Sequence, residues 1–123
     1  MADEEKEEAA ASKLSAVYVY EEARAAPSTS NITLTAPKLK AGKVIVIDSF
    51  SVADLTTANK TLRLGYDRGG VKFWLKRTAA GTSTYHLSLD NPLILVENEA
   101  PAAMVETPTS SDSILVVARG RYL

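Results

Sequence analysis

The stretch Thr61-Leu62-Arg63-Leu64-Gly65-Tyr66-Asp67-Arg68-Gly69-Gly70-Val71-Lys72-Phe73-Trp74-Leu75-Lys76 decides the fold class. Residues 61–66 alternate, with Leu62, Leu64 and Tyr66 on one side and Thr61, Arg63 and Gly65 on the other. A period of two is the signature of a half-buried strand. Asp67-Arg68-Gly69-Gly70 reads as a hairpin turn, in which glycine supplies positive φ without a Cβ penalty. Residues 71–76 alternate again, so Val71, Phe73 and Leu75 are expected to face the core. Lys72, Trp74 and Lys76 are then expected on the outward face.

The same rhythm extends in both directions. Upstream, Leu14–Tyr20 reads as a first strand, Ala23–Ser30 as a linker and Asn31–Ala36 as a strand. Pro37–Gly42 reads as a turn, Lys43–Val52 as the longest apolar strand and Asp54–Asn59 as a loop or one helical turn. Downstream, Ala79–Ser83 is a turn, Thr84–Leu89 a strand, Asp90-Asn91-Pro92 a turn and Leu93–Val96 a buried run. Asn98–Pro101 is expected to turn the chain before a short strand at Ala102–Thr107. After a loop at Pro108–Asp112, Ser113–Ala118 is the last long strand. Eight or nine strands spaced roughly 8–12 residues apart favour an all-β sandwich or barrel. Eight strands in two sheets fit a jelly roll best. An immunoglobulin-like sandwich is the runner-up, without the Cys…Trp…Cys signature of antibody-type domains. No repeat of 20–50 residues is present, which argues against a solenoid or propeller.

The chain has 123 residues, 46% of them hydrophobic, enough for one domain with its own core. It divides into an acidic arm at 1–13, disordered or ordered by a partner, an arm strand and linker at 14–30, and a sandwich at 31–123. The formal net charge of −1 hides an asymmetry. Residues 1–26 carry seven acids and three bases, a net of −4, and residues 27–123 carry eight acids and eleven bases, a net of +3. An acidic head on a mildly basic body suggests a solvated segment, or one that orders on a basic partner surface.

Composition also excludes chemistries. Without cysteine there is no disulfide framework, thiol nucleophile or cysteine zinc site. A single histidine, His86, excludes multi-histidine metal sites within one chain. No run approaches the roughly 18–20 apolar residues of a membrane-spanning helix. The acidic start is unlike a signal or transit peptide.

Candidate catalytic groups lack partners. His86 lies opposite Tyr85, Leu87 and Leu89 on its strand, and no nucleophile-elbow serine accompanies it. Glu97 and Glu99 could form a carboxylate pair, yet they sit beside Pro101 and read as solvated turn charges. The glycine-rich 65–70 run lacks the Lys-Ser/Thr ending of a phosphate loop and leads into no helix. Asn31-Ile32-Thr33 and Asn59-Lys60-Thr61 match the glycosylation sequon without a secretory signal. No catalytic residue, metal ligand or cofactor is therefore expected.

The surface offers more. An indole between the ammonium groups of Lys72 and Lys76 suggests protein contact, burial against a second sheet or the arm, or stacking on a sugar or base. The end Arg119-Gly120-Arg121-Tyr122-Leu123 leaves the last strand abruptly, a mark of packing in a sheet or subunit interface. Lys72, Trp74, Lys76, Arg119, Arg121 and Tyr122 are thus the candidate interface residues. A body charge of +3 does not favour nucleic acid.

Four stretches carry a family resemblance: Gly42–Ile47, Leu62–Gly70, Asn91–Glu99 and Asp112–Gly120. In pattern and register, the region from about Gly42 to Leu123 resembles the small jelly-roll virion proteins of tailed bacteriophages. These include capsid decoration (cement) proteins and head-fibre or tail-adhesin modules. The resemblance implies a non-enzymatic structural protein of the virion, present in the host cytoplasm during assembly. It implies a homo-oligomer, a trimer or another ring, that contacts capsid or other virion proteins and no membrane. An N-terminal segment would tie it to the shell or to its neighbours. The alternative it leaves open is a receptor- or glycan-binding module of a fibre or baseplate. The family has no catalytic residues to carry over.

Overall fold

The computed structural model describes residues 17–78 and 85–123. The acidic arm and the turn expected at 79–83 lie outside the described residues. Among the described residues there are nine strands and no helix. They are β1 (Val17–Ala25), β2 (Ile32–Thr35), β3 (Ile45–Asp54), β4 (Thr61–Arg68), β5 (Val71–Arg77), β6 (His86–Ser88), β7 (Leu93–Leu95), β8 (Glu99–Glu106) and β9 (Ser113–Tyr122).

The strands form two antiparallel sheets, ordered β1-β9-β3-β6 and β2-β8-β4-β5, with β7 also paired to β3. Strands β6 and β7 occupy successive lengths of one edge, against 51–53 and 45–47 of β3. Counted as one position, they leave eight, in the order 1-8-3-6 facing 2-7-4-5. This is the two-sheet order of a jelly roll, in which consecutive strands pass between sheets. The core lies between the sheets, where Ile45, Ile47, Phe50 and Val52 of β3 meet Leu62 and Leu64 of β4 and Val105 of β8.

Three boundaries differ from the sequence expectation. Residues 23–25, expected in a linker, belong to β1, because the long β9 provides Leu115, Ile114 and Ser113 as ladder partners. β9 itself continues past Ala118 to Tyr122, held between β1 and β3. β8 begins at Glu99, inside the expected 98–101 turn, and carries Pro101 in a central strand. The Pro101 carbonyl accepts from the Ala36 N–H at 3.0 Å, beyond the last β2 residue. N and O of a strand residue point the same way, so the missing N–H of Pro101 costs no bond to β4.

The β4–β5 hairpin closes on Gly69 and Gly70 alone, at φ +59° and +90°. Two consecutive positive φ angles match the right-handed twist of a hairpin. The Gly70 N–H also donates to Asp67 Oδ1 at 3.1 Å. Two register shifts bend the sheets. One falls at Leu64/Gly65 against β5, the other at Ile47/Ser49 against β9. At each, a glycine permits close backbone approach. A Cβ on Gly65 would lie 1.9 Å from the Phe73 carbonyl oxygen, and one on Gly120 would lie 1.8 Å from that of Val46.

Candidate interaction surface

The first register shift rearranges the outward face expected on β5. Phe73 pairs with Tyr66 and Trp74 with Gly65, but Lys76 pairs with Leu64, leaving Leu75 as the extra residue. Leu64 and Gly65 are neighbours and point to opposite faces. Trp74 and Lys76, two residues apart, therefore point to opposite faces as well. The expected Lys72–Trp74–Lys76 surface does not form. The Lys72 ammonium is held by the buried Asp67 carboxylate at 2.5 Å, and Trp74 is half-buried. The Lys76 ammonium instead reaches the other sheet, donating at 2.8 Å to both the Ser88 carbonyl and Asp90. Val71, Phe73 and Leu75, expected in the core, are exposed, because β5 is an edge strand.

At the hairpin end, Phe73 stacks on Tyr66 with ring centres 5.2 Å apart and planes 19° from parallel. The Arg68 guanidinium lies 5.6 Å from the centre of the Tyr66 ring and 5.7 Å from that of Phe73. Its Nε donates at 2.7 Å to Glu99. Glu99, expected as a solvated turn charge, is buried, and it also accepts from the Val96 N–H at 2.8 Å. Strand β8 starts at Glu99 and draws it under Arg68. Glu97 instead accepts from the Gly42 N–H and stays exposed. The two glutamates thus have separate structural duties and form no acid–base pair. On β4, the hydrogen bond from Lys72 holds the Asp67 carboxyl below its usual pKa.

The most open apolar surface is the outer face of the β1-β9-β3 sheet. Register places Val17, Arg121, Val46 and Ile94 in one row across four strands. Val19, Arg119 and Ser49 form the next row. Val17 is 55% exposed, Val19 54% and Ile94 60%. Arg119 and Arg121 stand among them with loose partners, Glu21 at 3.9 Å and Asp48 at 3.5 Å. Two of the candidate interface residues thus share this face. Tyr122, the third from the same end, points the other way. Its ring meets that of Tyr18 edge-on, with centres 5.8 Å apart. His86 pairs with Ala53 on the outer face of the same sheet, apart from any carboxylate pair. Sequence reasoning missed Val17, Val19 and Ile94. The signal was present in Val17-Tyr18-Val19-Tyr20, which is apolar or aromatic at every position and so leaves one face uncovered whichever way it packs.

No family model matches the chain, and no curated protein matches it. Solved structures similar to it include the Drosophila NLP-core, whose structure is described as giving insight into pentamer formation and histone binding. That likeness has 14% identity and a TM-score of 0.44, covering 86% of this chain and 98% of the other. FlhE is similar at 12% identity and a TM-score of 0.36, over 85% and 97% of the two chains. Dimeric latent PorU of Porphyromonas gingivalis is similar at 13% identity and a TM-score of 0.30, over 85% of this chain and 13% of that one. The class of the molecule follows from its own strand order, a nine-stranded antiparallel β-sandwich.

Proposed function

We propose that the protein is a non-enzymatic structural protein that assembles copy against copy through the outer face of the β1-β9-β3 sheet. The observation that supports this most directly is the row of exposed Val17, Val19 and Ile94 beside two loosely paired arginines. Contiguous exposed apolar patches on soluble proteins mark interaction sites, and arginine is enriched at interfaces. Within this reading, the protein is a virion component of a tailed bacteriophage that decorates or cements the capsid as a closed ring, a trimer favoured. The jelly-roll strand order is compatible with that role, and fold alone does not fix function.

Light scattering on the purified chain and mixing with undecorated capsids test the two levels separately. Self-assembly predicts a mass that is a multiple of 13.2 kDa. A monomer at every concentration overturns it. The capsid reading predicts saturable binding at a fixed number of copies and a higher capsid melting temperature. Absence of both removes that reading and leaves self-assembly standing.

A further inference from the structure

A groove of about 890 Å³ opens between the start of β1, the segment 37–43 and the end of β9. Its lining is aromatic, from Tyr18, Tyr20 and Tyr122, and Lys38, Lys40 and Lys43 border it. Burial, with Tyr122 alongside, pushes the Tyr18 phenol up to about 12. Burial also raises Tyr20, as does its hydrogen bond to Glu22 at 2.7 Å. Both hydroxyls therefore stay protonated and able to donate at neutral pH.

The three lysines differ from the other described cations. Among the described residues every arginine has a carboxylate within ion-pair distance, as do Lys72 and Lys76. Lys60 donates to the Thr107 carbonyl. Lys38, Lys40 and Lys43 have no ion pair among the described residues, and all three are exposed. Lys43 lies 5.9 Å from the centre of the Tyr122 ring, a cation–π contact that leaves its charge uncompensated. The groove thus gathers the unneutralised positive charge of the sandwich against hydroxyl donors, a chemistry that selects carboxylates.

The matching anions are in this chain's own sequence. Asp3, Glu4, Glu5, Glu7 and Glu8 precede β1, with Lys6 among them. They lie outside the described residues, so the argument uses their sequence and their distance along the chain. Val17 opens β1, and Tyr18 already lines the groove. Residues 9–16 are a tether that spans at most about 27 Å when fully extended, enough to double back. A short tether holds an effective concentration in the roughly millimolar range, so weak ion pairs suffice.

We propose that the groove is the docking site of this chain's own acidic run, Asp3–Glu8, with its carboxylates against Lys38, Lys40 and Lys43. The groove is then closed to other acidic partners until one displaces that run.

The absence of cysteine allows a direct test. A nitroxide on Ala9→Cys, in the full-length isotopically labelled chain, should broaden the amide signals of residues 38–43. The broadening should fall by more than half when salt is raised to about 0.5 M, where screening acts within a few ångströms. It should vanish in Lys38→Glu/Lys40→Glu/Lys43→Glu. Should that variant misfold, Glu4→Gln/Glu5→Gln/Glu7→Gln/Glu8→Gln gives the same loss while leaving the sandwich sequence intact. No broadening at 38–43, or broadening that persists when either set of charges is removed, overturns the proposal. Broadening only in unlabelled copies mixed with nitroxide-bearing ones also overturns it, since the run would then dock on another molecule.

Discussion

Asp54, at the end of β3, and Asp112, in the turn before β9, form a carboxyl pair sealed from solvent. Each is 1% exposed. Asp54 Oδ1 accepts the Thr56 and Thr57 N–H groups at 3.0 Å, while its Oδ2 meets no N–H or O–H donor among the described residues. Asp112 Oδ1 accepts the Thr57 hydroxyl at 2.8 Å, and its Oδ2 accepts the Thr109 N–H at 3.0 Å. A proton on Asp54, donated to Asp112, reconciles the two. Burial first, and then that hydrogen bond, raise the Asp54 pKa. Burial acts to raise Asp112 too, but hydrogen bonds from Asp54, Thr57 and Thr109 outweigh it and hold Asp112 below its usual value. The pair closes the end of the sandwich where β3 and β9 leave the sheet.

This arrangement fixes the sign of the pH dependence. The folded pKa of Asp54 lies above its unfolded value of about 3.9, so its contribution is complete below that value. It fades as the pH rises through the folded pKa. Asp112 behaves oppositely, with a contribution present above about pH 3.9 and lost as the pH falls through its depressed pKa. Denaturant titrations across the acidic and neutral range should show stability highest between the two folded pKa values. In Asp54→Asn a fixed amide donor replaces the proton, so the loss on the alkaline side should disappear. Asp112→Ala leaves Thr57, Thr109 and Asp54 short of partners and should cost about 1–3 kcal/mol.

Gly65→Ala should destabilise the chain by about 1–3 kcal/mol. The new Cβ would meet the Phe73 carbonyl, and rigid backbone cannot yield as a side chain would. The Tyr66–Phe73 stack lies next to this contact, so its near-ultraviolet dichroism should change along with the melting temperature.

Phe50→Ala should cost about 3–5 kcal/mol, since Phe50 is buried between the sheets and leaves a cavity. Val71→Ala, on exposed edge strand β5, should change stability by less than about 0.5 kcal/mol. Chemical denaturation of the two variants checks the contrast. Similar losses would mean that β5 is covered in solution.

Val19→Glu should leave the melting temperature of the isolated fold nearly unchanged, because Val19 is exposed on the sheet. If copies assemble through this face, the same variant should sediment as a folded monomer. Assembly that persists would move the interface elsewhere.

Some features were legible because they are local. The alternation of Leu62 and Leu64 and the Gly69-Gly70 turn depend on neighbours along the chain, and both stand as read. The Lys72–Trp74–Lys76 face did not survive, because one extra residue in the pairing of β5 with β4 inverts the side-chain phase. A bulge is a property of two strands together and leaves no mark in the alternation of either. The strand residues Ala23–Ala25 and Glu99–Pro101 were hidden for a related reason. Their turn-like composition is overridden by partners that lie far away in sequence.

The sequence by itself determined the all-β class, most of the strands and the uneven distribution of charge, since these follow from residue period and composition. Only the tertiary structure decided which faces meet solvent. It set Lys76 across the sheets, sank Glu99 beneath Arg68, brought Asp54 to Asp112 and left Lys38, Lys40 and Lys43 without carboxylates around one groove. The physical reason is that exposure and ion pairing depend on strand order and register, which join residues distant along the chain.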